Sequence, residues 1–214
     1  MKLMCELCED YEVITEEKAG KKHLYISGPF IQTETKNRNG RVYPKGIMER
    51  EVDRYTHQYV NENRAYGELG HPSGPTVNPE RISHRIVELK WSGNDVHGKA
   101  MIQNTPYGNI VENIIADGGK MAVSTRGIGS LKQEGNQLVV QQDFFLATAA
   151  DIVTDPSAQN AFVEGIMEGV DWIMENGVWK HEQIDAARKL IDDSNRSERE
   201  ATKLKVFEHF VSRF

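Results

Sequence analysis

Residues 81–103 constrain the fold more than any other part of the chain. Arg81 to Trp91 and Val96 to Gln103 are strand-like runs, and the residues between them, Ser92-Gly93-Asn94-Asp95, are turn formers. That pattern predicts a β-hairpin and commits the middle of the chain to antiparallel sheet. Further strands are expected at 23–31 (HLYISGPFI), at 65–69, and at 121–125 leading into Arg126-Gly127-Ile128-Gly129. A long or broken strand is expected over 137–153, closed by Pro156. Residues 33–41 read as a turn around Asn39-Gly40.

Two helices interrupt these strands. Pro44 opens one that runs to about Asn61, with Met48, Val52, Tyr55 and Tyr59 in one apolar stripe. Thr105 caps a second that begins at Pro106 and ends at Asp117-Gly118-Gly119, with Ile110, Val111, Ile114 and Ile115 expected to face a core. From Ala158 the pattern turns helical. Residues 1–165 are therefore taken as one mixed, strand-rich α+β body, and 166–214 as a helical C-terminal extension. The extension ends in an amphipathic stripe of Leu204, Phe207, Phe210, Val211 and Phe214, which suits either docking into a scaffold or packing on its own domain.

Composition removes several function classes. The 32 Asp+Glu outnumber the 26 Lys+Arg, and no basic stripe is interleaved with aromatics, so nucleic-acid binding is not expected. Apolar runs fall far short of the ~20 residues of a membrane span, and the acidic start lacks a signal-peptide core, so neither membrane insertion nor secretion is expected. Cys5 and Cys8 form a single Cys-x-x-Cys pair, too few ligands for structural zinc. The chain has no Walker A loop, no dinucleotide-binding glycine pattern and no Gly-x-Ser-x-Gly elbow. Neither a metal nor a cofactor is expected.

Three residues carry candidate chemistry. His71, in Gly67-Glu68-Leu69-Gly70-His71-Pro72, leaves a strand end for a loop, where it reads as a general base or as a loop histidine bonded to backbone. Ser124, in Ala122-Val123-Ser124-Thr125-Arg126-Gly127, sits in an apolar strand as a nucleophile or as a hydroxyl bonded to the next strand. Asp151, in Ala149-Ala150-Asp151-Ile152, is a carboxylate in an apolar strand. It must be paired, either with a catalytic histidine or with an arginine such as Arg85 or Arg126. His84, between Ile82 and Ile86, is the alternative third triad member, or a core histidine. Asp151 is favoured because a carboxylate both fixes the imidazole tautomer and stabilises its cation.

In order, the stretches 37–44 (NRNGRVYP), 67–72 (GELGHP), 82–86 (ISHRI), 105–108 (TPYG), 123–127 (VSTRG) and 151–157 (DIVTDPS) make the chain resemble the prohead core proteases of T-even-like tailed phages. The resemblance implies an assemblin-like (herpesvirus protease-like) β-barrel with flanking helices. It implies a serine endopeptidase acting in the host cytoplasm, inside the immature prohead, on scaffold and capsid proteins, with dimerisation as in assemblin-like enzymes. Ser124 matches the family nucleophile and His71 its base. More distant relatives carry the acid two residues earlier, where Ala149 stands. Period-two alternation would put 149 and 151 on one face, so Asp151 can serve from there. Arg126 and Gly127 are the oxyanion candidates. Cleavage after glutamate in apolar-x-Glu contexts points to self-cleavage at Glu168 or Glu175, each preceded by Ile-Met; Ile47-Met48-Glu49 falls in a packed helix. The competing class is a non-catalytic capsid-assembly or scaffold component on the same fold.

Overall fold

The structure is a computed structural model that describes residues 1–8, 11–18, 21–70, 74–154, 170–175 and 178–183, the last two segments by backbone alone. Its first two strands, β1 (Lys2–Cys8) and β2 (Glu12–Lys18), lie where no strand was expected. Next come β3 (Lys21–Gln32), β4 (Arg41–Val42), α1 (Lys45–Tyr55) and β5 (Tyr66–Glu68). The predicted hairpin is β6 (Ile82–Ser92) and β7 (Asp95–Ile102), turned at Gly93 with φ of 64°. The remaining elements are α2 (Pro106–Ala116), β8 (Ala122–Gly129), β9 (Leu131–Glu134), β10 (Gln137–Val140), β11 (Phe145–Val153), β12 (Val170–Glu175) and β13 (Val178–Gln183).

Both helices follow their sequence signals. Pro44 stands in extended backbone before α1, whose Met48, Val52 and Tyr55 are buried. The helix continues as a π turn over Thr56–Val60, which carries it to Asn61. Thr105 caps α2 by accepting a hydrogen bond from the Gly108 N–H. Within α2, Val111 is buried and Ile114 and Ile115 pack against the core, but Ile110 is 45% exposed, contrary to expectation. Four apolar residues in a six-residue span cover more arc than one buried stripe, and one of them is left outside.

The strands do not close a barrel. Among the described residues they form a five-stranded sheet in the order β2-β3-β7-β6-β5, a three-stranded sheet β1-β8-β11, a smaller sheet β4-β10-β9, and the hairpin β12-β13. The expected barrel gives way to separate sheets, two of them joined by a backbone bridge at the end of β5. There Leu69 makes a parallel bridge to Ile152, and the Gly70 N–H donates to the Ile152 carbonyl at 2.7 Å. β8 is buried along its whole length. The 137–153 run is broken at residues 141–144, as its ambiguity allowed.

The helical expectation for 166–214 fails at 170–175 and 178–183, where β12 and β13 pair antiparallel. Val170, Trp172 and Ile173 in one strand and Val178 and Trp179 in the other favour extended backbone. The sequence between the strands, Asn176-Gly177, is a strong two-residue hairpin signal. The terminal stripe from Leu204 to Phe214 lies outside the described residues.

α1 is fixed to β11 by the buried Glu51 carboxylate together with Arg54, whose Nη2 donates to the Leu146 carbonyl at 2.7 Å. Glu51 Oε2 accepts from the Leu146 N–H at 2.9 Å and from Arg54 Nη2 at 2.8 Å. Glu51→Ala leaves the buried Leu146 N–H without its acceptor and removes the carboxylate that Arg54 pairs with, so it is expected to cost about 2 kcal/mol of stability. A urea-unfolding series on the variant and wild type measures this.

Candidate functional site

The site forms where β5 crosses onto the β8–β11 pair. Ser124 and Asp151 are direct partners across these strands, which puts their Cβ atoms about 4.5–5.5 Å apart on one face. That pairing depends on the second of two register shifts in β11. Thr148 is the partner of Arg126, yet Asp151, three residues on, is the partner of Ser124, two residues back. β11 therefore carries an extra residue opposite Thr125. Without it Asp151 would face Val123 and point to the other side of the sheet. The period-two argument linking Ala149 to Asp151 does not carry across this bulge: Thr148 and Asp151 both reach the Arg126 guanidinium.

The bulge is held from both sides. The Thr125 hydroxyl donates to the Phe30 carbonyl at 2.8 Å and lies 3.4 Å from that of Ala149. His84 Nε2 meets the Ala150 carbonyl at 2.9 Å, and its Nδ1 meets the Ser83 hydroxyl at 2.9 Å. The ring reaches Ala150 across Gly67, where a Cβ would stand 2.2 Å from His84 Nε2 and 2.3 Å from the Ala150 oxygen. Only glycine leaves that passage open. Burial pushes the His84 pKa down to about 4, the Ala150 contact opposing the shift. The ring is thus neutral near pH 7, with both nitrogens engaged.

Asp151 is fully buried and sits against Arg126, itself fully buried. Arg126 Nε is 2.9 Å from Asp151 Oδ2, and Nη2 donates to Asp151 Oδ1 at 3.2 Å. Nη2 also donates to Thr148 Oγ1 at 3.1 Å and Glu68 Oε1 at 3.3 Å. Nη1 donates to the carbonyls of Gly74 at 2.7 Å and Thr76 at 3.4 Å. The guanidinium therefore spends its donors on β11, β5 and the loop beyond His71. Glu68 completes the cluster. Its N–H donates to Asp151 Oδ1 at 3.0 Å, its Oε1 accepts from the Asn78 N–H at 3.0 Å, and its Oε2 lies 3.7 Å from Arg81 Nε. Burial pushes both acids above the ordinary carboxylate range, although Arg126 pulls each back.

Of the residues singled out from sequence, Ser124, Asp151, Arg126 and Gly127 gather on or beside β8. His84 lies beneath β5 on the bulge, and Arg85 bonds Asn63 instead of Asp151. His71 and Glu168 lie outside the described residues. Gly70, which precedes His71, is anchored to Ile152, the residue after Asp151. Glu175 ends β12. Sequence reasoning assigned Glu68 no role; the available signal was a lone carboxylate beside Gly67 and Leu69 at the end of an apolar strand. Burial pushes the Cys5 thiol up to about 12, which keeps it protonated and unreactive. No group of metal-ligating residues occurs among the described residues, and no described helix is long and apolar enough to cross a membrane.

The His84 environment sets a stability profile. Below pH 6.5 the imidazole of the unfolded chain takes a proton that the folded chain refuses until about pH 4. Stability linked to His84 is therefore complete above pH 6.5 and lost as pH falls to 4, by roughly 3 kcal/mol. Asp151 and Glu68, with raised pKa values, act in the opposite sense. Comparing wild type with His84→Gln isolates the histidine: unfolding midpoints from pH 7 to 4 are expected to converge as the pH falls.

The chain matches known proteins over most of its length. A family model described as prohead core protein serine protease covers residues 8–170. The prohead core protein protease of Enterobacteria phage T4 is 40% identical over 148 residues, which is 67% of this chain and 69% of that protein. The solved structure of the bacteriophage T4 capsid assembly protease aligns with a TM-score of 0.69 at 34% identity, covering 72% of this chain and 98% of that one. With a site built on the strand that carries Ser124, these matches mean that the chain belongs to the prohead core protein serine protease family, the peptidases of phage capsid maturation.

Proposed function

We propose that this chain is a serine endopeptidase that acts inside the immature prohead, cutting scaffold and capsid proteins after glutamate in apolar-x-Glu contexts. Ser124 is the nucleophile, His71 its base and Asp151 the group that orients the base. One observation carries this assignment: the bulge in β11 sets Asp151 directly opposite Ser124, while Gly70 delivers the chain to His71 from a hydrogen bond on the neighbouring Ile152.

The chemistry follows the general acyl-transfer sequence. Ser124 Oγ attacks the scissile carbonyl as His71 takes its proton, the leaving amine receives that proton, and water clears the acyl-enzyme. Asp151 is preferred over His84 because it stands directly opposite Ser124, whereas both His84 nitrogens are spent on Ser83 and the Ala150 carbonyl. The oxyanion is assigned to backbone N–H groups around Arg126 and Gly127. The Arg126 side chain, committed to Asp151, Glu68 and the Gly74 and Thr76 carbonyls, instead holds the loop that follows His71.

Ser124→Ala is expected to abolish cleavage of prohead proteins, and His71→Ala to abolish labelling of Ser124 by a serine-directed phosphonate. Asp151→Asn should lower kcat by on the order of 10²–10⁴ while KM moves little. Cleavage by a folded Ser124→Ala protein would overturn the assignment, and a wild type inert to both substrate and phosphonate would favour an assembly role.

Self-cleavage is expected after Glu168 or Glu175, with loss of the tail. Ile47-Met48-Glu49 is protected because it lies in α1 with Met48 fully buried. Intact-mass spectrometry of aged active enzyme checks this, with Ser124→Ala as the uncut control.

A further inference from the structure

Ser124 is only 1% exposed, so a peptide reaches it only after something moves. The strand beside it is β1, at the edge of the β1-β8-β11 sheet. β1 runs antiparallel to β8 with Leu7 opposite Ser124, Glu6 opposite Thr125, Cys5 opposite Arg126 and Met4 opposite Gly127. Strand addition of this kind is a common way for extended peptides to bind. β1 thus lies where an incoming peptide would lie.

The side chains of β1 are received as a ligand's would be. Alternation puts Met4 and Glu6 on one face. The Glu6 carboxylate accepts from Asn39 Nδ2 at 2.7 Å, Arg41 Nη1 at 2.9 Å and the Tyr43 hydroxyl at 2.7 Å. Asn39 Nδ2 also reaches the Cys5 carbonyl at 3.2 Å, so one side chain reads both backbone and carboxylate. These donors stand on a preformed turn: Asn37 Oδ1 accepts from the Asn39 and Arg41 N–H groups, and Gly40 supplies a φ of 74°. Met4, two residues before Glu6, is 1% exposed in the core. A cleft lined by Glu6, Phe30, Ile31, Tyr43, Met48 and Thr125 opens beside them.

The fit of Glu6 is incomplete. The buried Arg41 Nε has no hydrogen-bond partner among the described residues. Glu6 is held at Nη1 alone, and a carboxylate seated on the other side, across Nε and Nη2, would gain the two-pronged contact for which a guanidinium is shaped. Residues 2–7 also fall outside the span of the family match.

We infer that Asn39, Arg41 and Tyr43 form the carboxylate-selecting subsite of this protease, and that β1 is its tethered occupant. β1 holds the peptide-binding edge of β8 closed until a substrate strand displaces it. The inference rests on the proteolytic assignment above. The subsite accepts the glutamate before the cut, and the core position of Met4 accepts an apolar side chain two residues earlier. Met4-Cys5-Glu6 reproduces that apolar-x-Glu pattern within the chain itself.

The test uses the full chain and two peptides that differ only in Glu or Gln before the cut bond. Arg41→Met is expected to lower the Glu-over-Gln ratio of kcat/KM by about tenfold or more. Structural damage would lower both peptides in proportion and keep the ratio. Glu6→Gln weakens the occupant and is expected to lower KM for the glutamate peptide by about tenfold. A preserved ratio in Arg41→Met, or an unchanged or higher KM in Glu6→Gln, overturns the inference and leaves the protease assignment standing. A wild type that cleaves neither peptide and takes up no phosphonate fails the assignment itself.

Discussion

The structure around the site depends on one buried cation. A guanidinium with no exposed surface is tolerated only if nearly every donor finds an acceptor, and the acceptors of Arg126 come from three places in the chain. Asp151 and Thr148 lie on β11, Glu68 ends β5, and Gly74 and Thr76 belong to the loop beyond His71. None of these can shift far without stranding a buried polar atom. Removing water from the cluster weakens each acid's preference for its charged form, which is why both carboxylates are raised despite their shared cation. The cluster functions less as a store of stability than as a fixed reference. It ties the two strands that carry the candidate nucleophile and acid to both flanks of the segment that carries the candidate base.

That arrangement requires the bulge in β11, and the bulge has its own support. An extra residue leaves local carbonyls without ladder partners. Here Ala150 is met by a buried neutral histidine and Ala149 lies within reach of the Thr125 hydroxyl. Gly67 is glycine because that histidine must pass beneath β5 to do so. A residue that sequence offered as an alternative catalytic member thus has a definite task in the fold, supporting the register that brings Asp151 to Ser124.

Legibility in the sequence followed the range of the interactions. The β6–β7 hairpin, both helices, the Thr105 cap and the strand around Ser124 rest on local signals and stand as read. β1 and β2 were invisible because an edge strand of mixed composition takes its structure from its neighbour. The Asn176-Gly177 sequence signal was local and readable, yet the charged composition downstream drew 166–214 toward helix. Single-strand alternation could not reveal the β11 bulge, since an inserted residue shows only against its partner strand. Asp151 was legible as a residue needing a partner, with Arg126 among the candidates named. That Arg126 is the partner taken, with Glu68 joining them, is a property of packed sheets and not of any one segment.

The proposed role of β1 changes what governs the enzyme. Exchanging β1 for a substrate strand swaps one set of ladder hydrogen bonds for another, so backbone pairing contributes little to the balance. What remains is the side-chain fit and the concentration of each competitor. A segment tethered by a short connection presents itself at an effective concentration on the order of millimolar. A substrate in dilute solution loses that contest unless its glutamate engages Arg41 better than Glu6 does. A substrate packed at comparable density wins by mass action with no separate trigger. On this account, proteolysis is restrained while the chain is free and released where substrate is crowded around it, and the control lies in the register of one edge strand and in one arginine nitrogen that no described residue engages.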